Sequence, residues 1–271
     1  MTKNHSFKEL AQLGLFLMLS IASISCQKVI DVDLNSSSPR IVIEGSISDG
    51  RTPCTVKISR TVNFNQPSTF PPVEGAVVRL SDPYEHTVTL TEVTPGTYST
   101  SAISGHFGIK YTITVSVDGQ TYVASSTMPI PVTIESLSLQ NFTIGRNSSL
   151  AVVVYFFDPE GVSNYYRFVE QRNGITQNFI FLMDDRAQDG TYMNSILFAE
   201  KDTIKVNDTI KVFLQCVDKN VYDFYTTAQQ ISDNQEGPQS ASPTNPPSNF
   251  SNGALGCFSA YTERSDEIII R

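Results

Sequence analysis

From Arg40 onward the apolar residues of the chain recur at every second position. Ile41, Ile43 and Ile47 alternate with Val42, Glu44 and Ser46, and Val56 and Ile58 alternate with Lys57 and Ser59. The same period runs through Ala76, Val78 and Leu80, then Val88 and Leu90. It is cleanest over 111–117, where odd positions are apolar and even positions are Thr or Ser, the pattern of a strand with one wet face. Ser48-Asp49-Gly50, Asp82-Pro83 and Thr94-Pro95-Gly96 punctuate these runs. Asp118-Gly119 is a two-residue hairpin signal, with 120–124 returning as the partner strand. Short alternating strands between frequent turns predict an independent N-terminal β-sandwich, Ig-like or prealbumin-like, over 40–130. Met128-Pro129-Ile130-Pro131 ends it, because prolines cannot join a hydrogen-bond ladder.

The second half, 131–271, reads as another β domain that carries one helix, so the chain as a whole is mainly β. Residues 132–139 open it, and the continuous apolar run 150–157 predicts a central strand. Further strands are expected over 165–170, 178–183, 193–198 and 209–217. Between 218 and 233 the period changes: Val221, Phe224, Tyr225, Ala228 and Ile231 recur at helical spacing. Residues 234–249 are rich in Gln, Ser, Pro and Asn and predict a long irregular loop. Two short strands, 258–261 and 267–270, are expected to close the chain.

The first 39 residues follow a different rule. Lys3 and Lys8 precede an uncharged apolar run over 13–24, then Ser25-Cys26. That is the layout of a secretory signal over 1–25, and the run is too short to span a bilayer. Ser25-Cys26 resembles a lipobox, in which the cysteine thiol is lipidated after cleavage; Ser23 replaces the usual bulky aliphatic residue. Residues 26–39, ending in Asn35-Ser36-Ser37-Ser38-Pro39, form a polar tether with no means of packing a core. Lipid on Cys26 would hold the folded part at a membrane surface, in water.

Charge and cysteine content narrow the function. The chain has 19 basic and 27 acidic residues, a net charge of −8, and no basic cluster, which argues against nucleic-acid binding. With Cys26 assigned to lipid, Cys54, Cys216 and Cys257 remain, an odd number without close spacing. Cys54 and Cys216 fall in strand-like runs and read as small buried hydrophobes, with one long-range disulfide as the alternative. His5, His86 and His106 are scattered and there is no CxxC, so zinc is not expected.

Candidate chemistry is sparse. Asp184, Asp185 and Asp189, with Gly190, place three carboxylates in one loop, where oxygen ligands for Ca²⁺ could gather; an acidic β-turn is the simpler reading. Asp158 and Glu160 flank a proline turn and offer a carboxylate pair, without a cleft signal to make them catalytic. There is no Gly-x-Ser-x-Gly, Walker or zinc motif, and the expectation is a protein that is not an enzyme. Within the loop after the helix, Gln235, Glu236 and Gln239 lie in a polar part free to touch a partner. Asn245 and Asn249 lie in an end expected to be held against its own domain by the helix.

Several segments together resemble a Bacteroidota lipoprotein family of unknown function. They are Val42-Ile43-Glu44-Gly45, Val73-Glu74-Gly75-Ala76, Gly96-Thr97-Tyr98, Gly108-Ile109-Lys110-Tyr111 and Asp158-Pro159-Glu160-Gly161. Asp184-Asp185 with Asp189-Gly190, Val221-Tyr222-Asp223-Phe224, Asn245-Pro246-Pro247-Ser248-Asn249 and Gly253-Ala254-Leu255-Gly256 extend the match. Cys257 stands where the family pattern has an aromatic. The resemblance implies an outer-membrane lipoprotein encoded beside a TonB-dependent receptor, with that β-barrel as partner and no cofactor beyond the lipid. A stand-alone adhesin or a glycan- or peptide-binding protein is the alternative. Asp202-Thr203-Ile204 and Asp208-Thr209-Ile210 resemble the Asp-Thr-aliphatic sites at which such bacteria O-glycosylate exported proteins, at Thr203 and Thr209.

Overall fold

Ile41, Ile43 and Ile47 bury their side chains on one face of β1 (Ile41–Ser48), while Glu44 lies exposed on the other. The computed structural model describes residues 38–50, 52–62, 69–144, 147–198, 204–234 and 245–271. The expected signal segment and the tether up to residue 37 lie outside them. β1 pairs antiparallel with β2 (Cys54–Arg60), β2 with β6 (Thr97–Thr100), and β6 with β5 (Thr91–Thr94). Facing these is a four-stranded sheet of β3 (Val77–Ser81), β4 (Thr87–Thr89), β7 (Lys110–Val117) and β8 (Gln120–Thr127), in the order β4-β3-β7-β8. Its β7–β8 hairpin turns through Asp118 and Gly119, both at positive φ (51° and 71°), a mirror-image turn whose twist matches that of the strands.

The first core fills the space between these sheets. Val56, Ile58 and Tyr98 pack from one side against Leu80, Ile113 and Val115 from the other. Tyr98 keeps its hydroxyl satisfied there, donating to the Val73 carbonyl at 3.0 Å and accepting from Ala76 N–H at 2.9 Å.

A second core is built by the second half of the chain. β9 (Ile134–Ile144), β10 (Asn147–Phe157) and β14 (Tyr192–Phe198) form a three-stranded sheet in the order β14-β10-β9. Val152, Val154 and Phe156 of β10 pack against Tyr166 and Phe168 of β11 (Tyr165–Arg172) and Val212 and Leu214 of β15 (Thr209–Val217). Phe156 and Tyr166 meet edge to face with centroids 4.8 Å apart. β12 (Ile175–Thr176) and β13 (Phe181–Asp184) both pair with β11. The strand expected over 178–183 therefore begins only at Phe181.

β16 (Leu255–Ile269) joins the two halves. Its first part runs parallel to β1, from Val42 opposite Leu255 to Ser48 opposite Tyr261. Its second part runs antiparallel to β15, from Cys216 opposite Thr262 to Thr209 opposite Ile269. One nine-stranded sheet results, with the path β12-β11-β15-β16-β1-β2-β6-β5 and β13 also on β11. The two short closing strands expected from the sequence are thus one strand of 15 residues. The polar stretch between them is extended too, and Asp49 accepts there from Glu263 N–H at 3.0 Å and Arg264 Nη1 at 2.7 Å. Gly256, at φ 94°, allows β16 to lie against β1, since a Cβ there would collide with the Ile43 carbonyl.

The expectation of an independent sandwich over 40–130 meets a different arrangement. Met128 belongs to the first core and Val132 to the second, but Phe250, Ala254, Phe258 and Ala260 return to the first. Residues 38–271 cluster as one compact unit.

The helix forms close to its expected place, as α1 (Lys219–Asn234). Asp218 caps it: Oδ1 accepts from Val221 N–H at 3.0 Å. The other oxygen accepts from Thr127 N–H at 3.1 Å, which ties the helix start to the edge of β8. Val221, Phe224 and Tyr225 pack onto Val217, Cys257 and Tyr261 on the outer face of the long sheet. Among the described residues no helix is long and apolar enough to cross a membrane.

Candidate functional site

Among the described residues, three carboxylates gather where the Asp158–Gly161 turn after β10 meets the loop between β13 and β14. Asp158, Asp185 and Asp189 bring one carboxylate oxygen each to within 4.8 Å of one another. Asp158 and Asp185 are buried and Asp189 is exposed. Backbone N–H groups answer most of this charge. Gly190 donates to Asp158 Oδ2 at 3.0 Å, Asn164 to Asp185 Oδ2 at 2.7 Å, and Gly161 to Asp189 Oδ1 at 2.9 Å. The Tyr166 hydroxyl donates to the remaining oxygen of Asp158. Burial, reinforced by that hydrogen bond to a carboxylate, pushes the Tyr166 phenol well above its ordinary range.

This knot differs from the set expected for Ca²⁺. Asp158 takes the place of Asp184, because Asp184 ends β13 with its side chain on the opposite face. Asp184 Oδ2 instead accepts from Arg186 Nε at 2.9 Å and from the Tyr222 hydroxyl of α1 at 3.0 Å. Its carboxyl is held below the ordinary value, chiefly by the Arg186 hydrogen bond. Asp158 and Asp185 meet because β10 pairs with β14 and β11 with β13 (Phe157 opposite Tyr192, Tyr165 opposite Asp184). Local spacing does not carry that information. Three facing oxygens are half of a Ca²⁺ shell, which takes about six to eight. Most of them already accept from the protein's own donors, so the arrangement works first as a loop clasp. Of the other expected pair, Asp158 is buried and Glu160 is exposed.

The candidate partner segment divides at the limit of the described residues. Gln235, Glu236 and Gln239 lie outside them, whereas Asn245 is exposed and Asn249 is half-buried. Asn249 is held by strand backbone, in place of the helix expected to hold it. Its Oδ1 accepts from Phe258 N–H at 2.9 Å and its Nδ2 donates to the Phe258 carbonyl at 2.8 Å. Ser251 N–H then donates to Val123 O at 2.9 Å, and Asn252 Nδ2 to Thr121 O at 2.6 Å. Side chains and backbone from 249–252 thereby cover the free edge of β8, which would otherwise invite pairing with another chain. Beside this seam a groove of about 490 Å³ opens between Ser125–Thr127 of β8, Pro247–Asn249 and Asp218, Asn220 and Asp223 at the start of α1.

Cys54, Cys216 and Cys257 are buried and free, and burial raises their thiols to about 12, 11 and 12. The long-range disulfide alternative is not realised among them. Cys26 and Thr203 lie outside the described residues. Thr209 is half-buried at the start of β15, with its N–H donating to Asn173 Oδ1 at 2.9 Å.

The fold and its clasp define a mainly β protein of two sandwich cores on one shared sheet, with a single capping helix among the described residues. The chain belongs to the DUF4249 family, a domain of unknown function, whose profile matches residues 27–267. A search of curated proteins finds no match. Among solved structures, the chicken interferon gamma receptor alpha chain is similar at 12% identity, covering 67% of this chain and 89% of that one, with a TM-score of 0.20.

Proposed function

We propose that this protein is a surface-anchored outer-membrane lipoprotein of Bacteroidota type. It would serve as a non-enzymatic accessory or ligand-capture subunit of a TonB-dependent outer-membrane transporter. The observation that carries the reading is the N-terminal order: Lys3 and Lys8, the apolar run 13–24, then Ser25-Cys26. The family match supports it, because it begins at residue 27, directly after the cysteine that would become the mature N-terminus. From Cys26 to Ser38 an extended chain reaches at most about 40 Å, which would keep the folded body close to a barrel in the same membrane. Asn245 is exposed, and a groove opens between β8, Pro247–Asn249 and the start of α1; these are the described surfaces on which this reading would seat a partner.

A second reading, a stand-alone binder of glycan or peptide, is favoured by one specific feature. Tyr155 and Tyr192 stack on the outer face of the three-stranded sheet, with centroids 6.0 Å apart and planes within 15°. Phe157 beside them is exposed. Such flat aromatic faces suit sugar rings or apolar side chains.

One experiment separates the readings. Tagged protein is purified from gently solubilised membranes, alongside Cys26→Ala. The accessory reading expects a β-barrel protein to co-purify with the wild type, and Cys26→Ala to leave the membrane fraction as an unprocessed or soluble form. Wild type that arrives alone at full yield favours the binder. A mature N-terminus at any residue other than Cys26 removes the anchor itself.

A further inference from the structure

On the outer face of the long sheet, beside Phe224 and Tyr225 of α1, lies a cleft of about 310 Å³. Strand alternation decides what lines it. Tyr166 and Phe168 point into the second core, so Arg167 between them points to the outer face. The strand register sets Arg167, Gln215 and Glu263 side by side across β11, β15 and β16. Arg167 Nη1 donates to Gln215 Oε1 at 2.7 Å, and Gln215 Nε2 donates to Glu263 Oε2 at 2.7 Å. The guanidinium also sits 4.3 Å from the centre of the Tyr225 ring.

Its plane is therefore fixed from two sides before anything binds. Its charge is answered only through a neutral amide: among the described residues no carboxylate lies within ion-pair distance of Arg167. Its Nε is buried without a hydrogen-bond partner. A buried donor on a charged group is costly to leave unmet, and native structures meet such donors with protein, water or ligand. Lys57 reaches the same cleft from β2, exposed and without an ion pair among the described residues. Ser46 and Ser259, register partners on β1 and β16, add two hydroxyls to the wall.

We propose that this cleft binds small carboxylate-bearing molecules, with Arg167 as the principal charge partner and Lys57, Ser46 and Ser259 as further donors. A planar guanidinium fork matches a carboxylate, which can accept two parallel N–H bonds. Glu44 lines the cleft and Glu263 closes the hydrogen-bonded row, and both oppose a multiply charged phosphate. The chain carries a net charge of −8, so no general attraction draws anions to it, and binding that saturates must be local. The cleft volume is at the lower end of small-molecule sites. The inference stands apart from the transporter-accessory reading and does not need a barrel.

The Arg167 Nε–H group is its own reporter. In ¹⁵N-labelled full chain, its resonance is assigned by its loss in Arg167→Lys. It is then titrated with acetate and succinate at constant ionic strength, with acetamide as neutral control and inorganic phosphate as the other anion. The expected result is a saturating shift with the carboxylates, none with acetamide and weaker binding of phosphate. Arg167→Lys should weaken acetate binding, followed on neighbouring backbone amides, by roughly tenfold or more. Lys57→Gln should weaken it by about threefold. A shift that never saturates, or phosphate binding tighter than both carboxylates, overturns the proposal. Should Arg167→Lys fail to fold, Lys57→Gln decides: unchanged affinity in that exposed variant counts against the assignment.

Discussion

Asn249 grips Phe258 as a neighbouring strand would: its side-chain amide accepts from the Phe258 N–H at 2.9 Å and donates to the Phe258 carbonyl at 2.8 Å. Phe258 is fully buried in the first core, opposite Gly45 in the stretch of β16 that pairs with β1. One polar side chain thus takes the place of a strand on the edge of β16 away from β1, ahead of the changeover to β15 at Thr262. Asn249→Ala leaves two backbone groups of a buried residue unmet, and should lower unfolding free energy by about 2–3 kcal/mol. Asn249→Asp should also destabilise, because it keeps the acceptor but sets a carboxylate oxygen against the Phe258 carbonyl. Urea unfolding curves of both variants within about 0.5 kcal/mol of wild type would remove this role for Asn249.

The return of β16 predicts how the chain tolerates cutting. Residues 38–130 alone would lack Phe250, Ala254, Phe258 and Ala260 from the first core, and β1 would lose its parallel neighbour. An open, apolar inner edge of that kind favours aggregation over a stable monomer. The fragment should show no cooperative melt by circular dichroism. A permuted chain that carries residues 245–261 on a flexible linker after residue 130 should regain one. A sharp melt from 38–130 alone is the outcome that sinks this argument.

Residues around these points also show what the sequence could and could not reveal. Alternation at Ile41, Ile43 and Ile47, the Asp118-Gly119 turn and the helical spacing of Val221, Phe224 and Tyr225 are local signals, and each element forms where they place it. The polar run 262–266 gave a false break in β16; its bonds to Asp49, more than 200 residues away, leave no local signal. The acidic loop was legible as a cluster, but its membership was not. Asp184 and Asp185 are adjacent, so strand alternation sends them to opposite faces, and Asp158 enters only through long-range strand pairing. The Arg167 cleft had no local signature at all, since its lining comes from β1, β2, β11, β15, β16 and α1.

Asp158 is the keystone of the acidic clasp, buried with both oxygens engaged by Tyr166 and Gly190. Asp158→Ala removes those acceptors and leaves Asp185 and Asp189 without the turn that positions them. A loss of about 3 kcal/mol is expected, the range for breaking a buried charged network. Tyr166→Phe should cost less, because the deleted hydroxyl strands a single carboxylate oxygen. A double-mutant cycle between the two reports their coupling directly. Additive effects would mean that Tyr166 and Asp158 share a site without supporting one another.

Asp184 links the clasp region to the helix and gives that link a pH dependence. Its carboxyl is lowered first by the Arg186 hydrogen bond, with the Tyr222 hydroxyl adding to the effect and partial burial opposing it. A folded value below the unfolded one means that the group contributes stability above the unfolded pKa of about 3.9. That contribution is lost as pH falls through the lower, folded value, as the proton displaces the Arg186 and Tyr222 contacts. Unfolding free energy, followed by urea titration from pH 6 down to pH 2.5, should therefore fall more steeply below about pH 4 in wild type than in Asp184→Asn. Near neutral pH, Asp184→Asn should be the less stable of the two, and the difference should shrink with acid. Tyr222→Phe tests the helix side of the link. It should remove part of the same acid-sensitive contribution, since Tyr222 bonds the oxygen that Arg186 shares. Parallel pH profiles for wild type and Asp184→Asn would show that the carboxylate is paired in the fold without stabilising it.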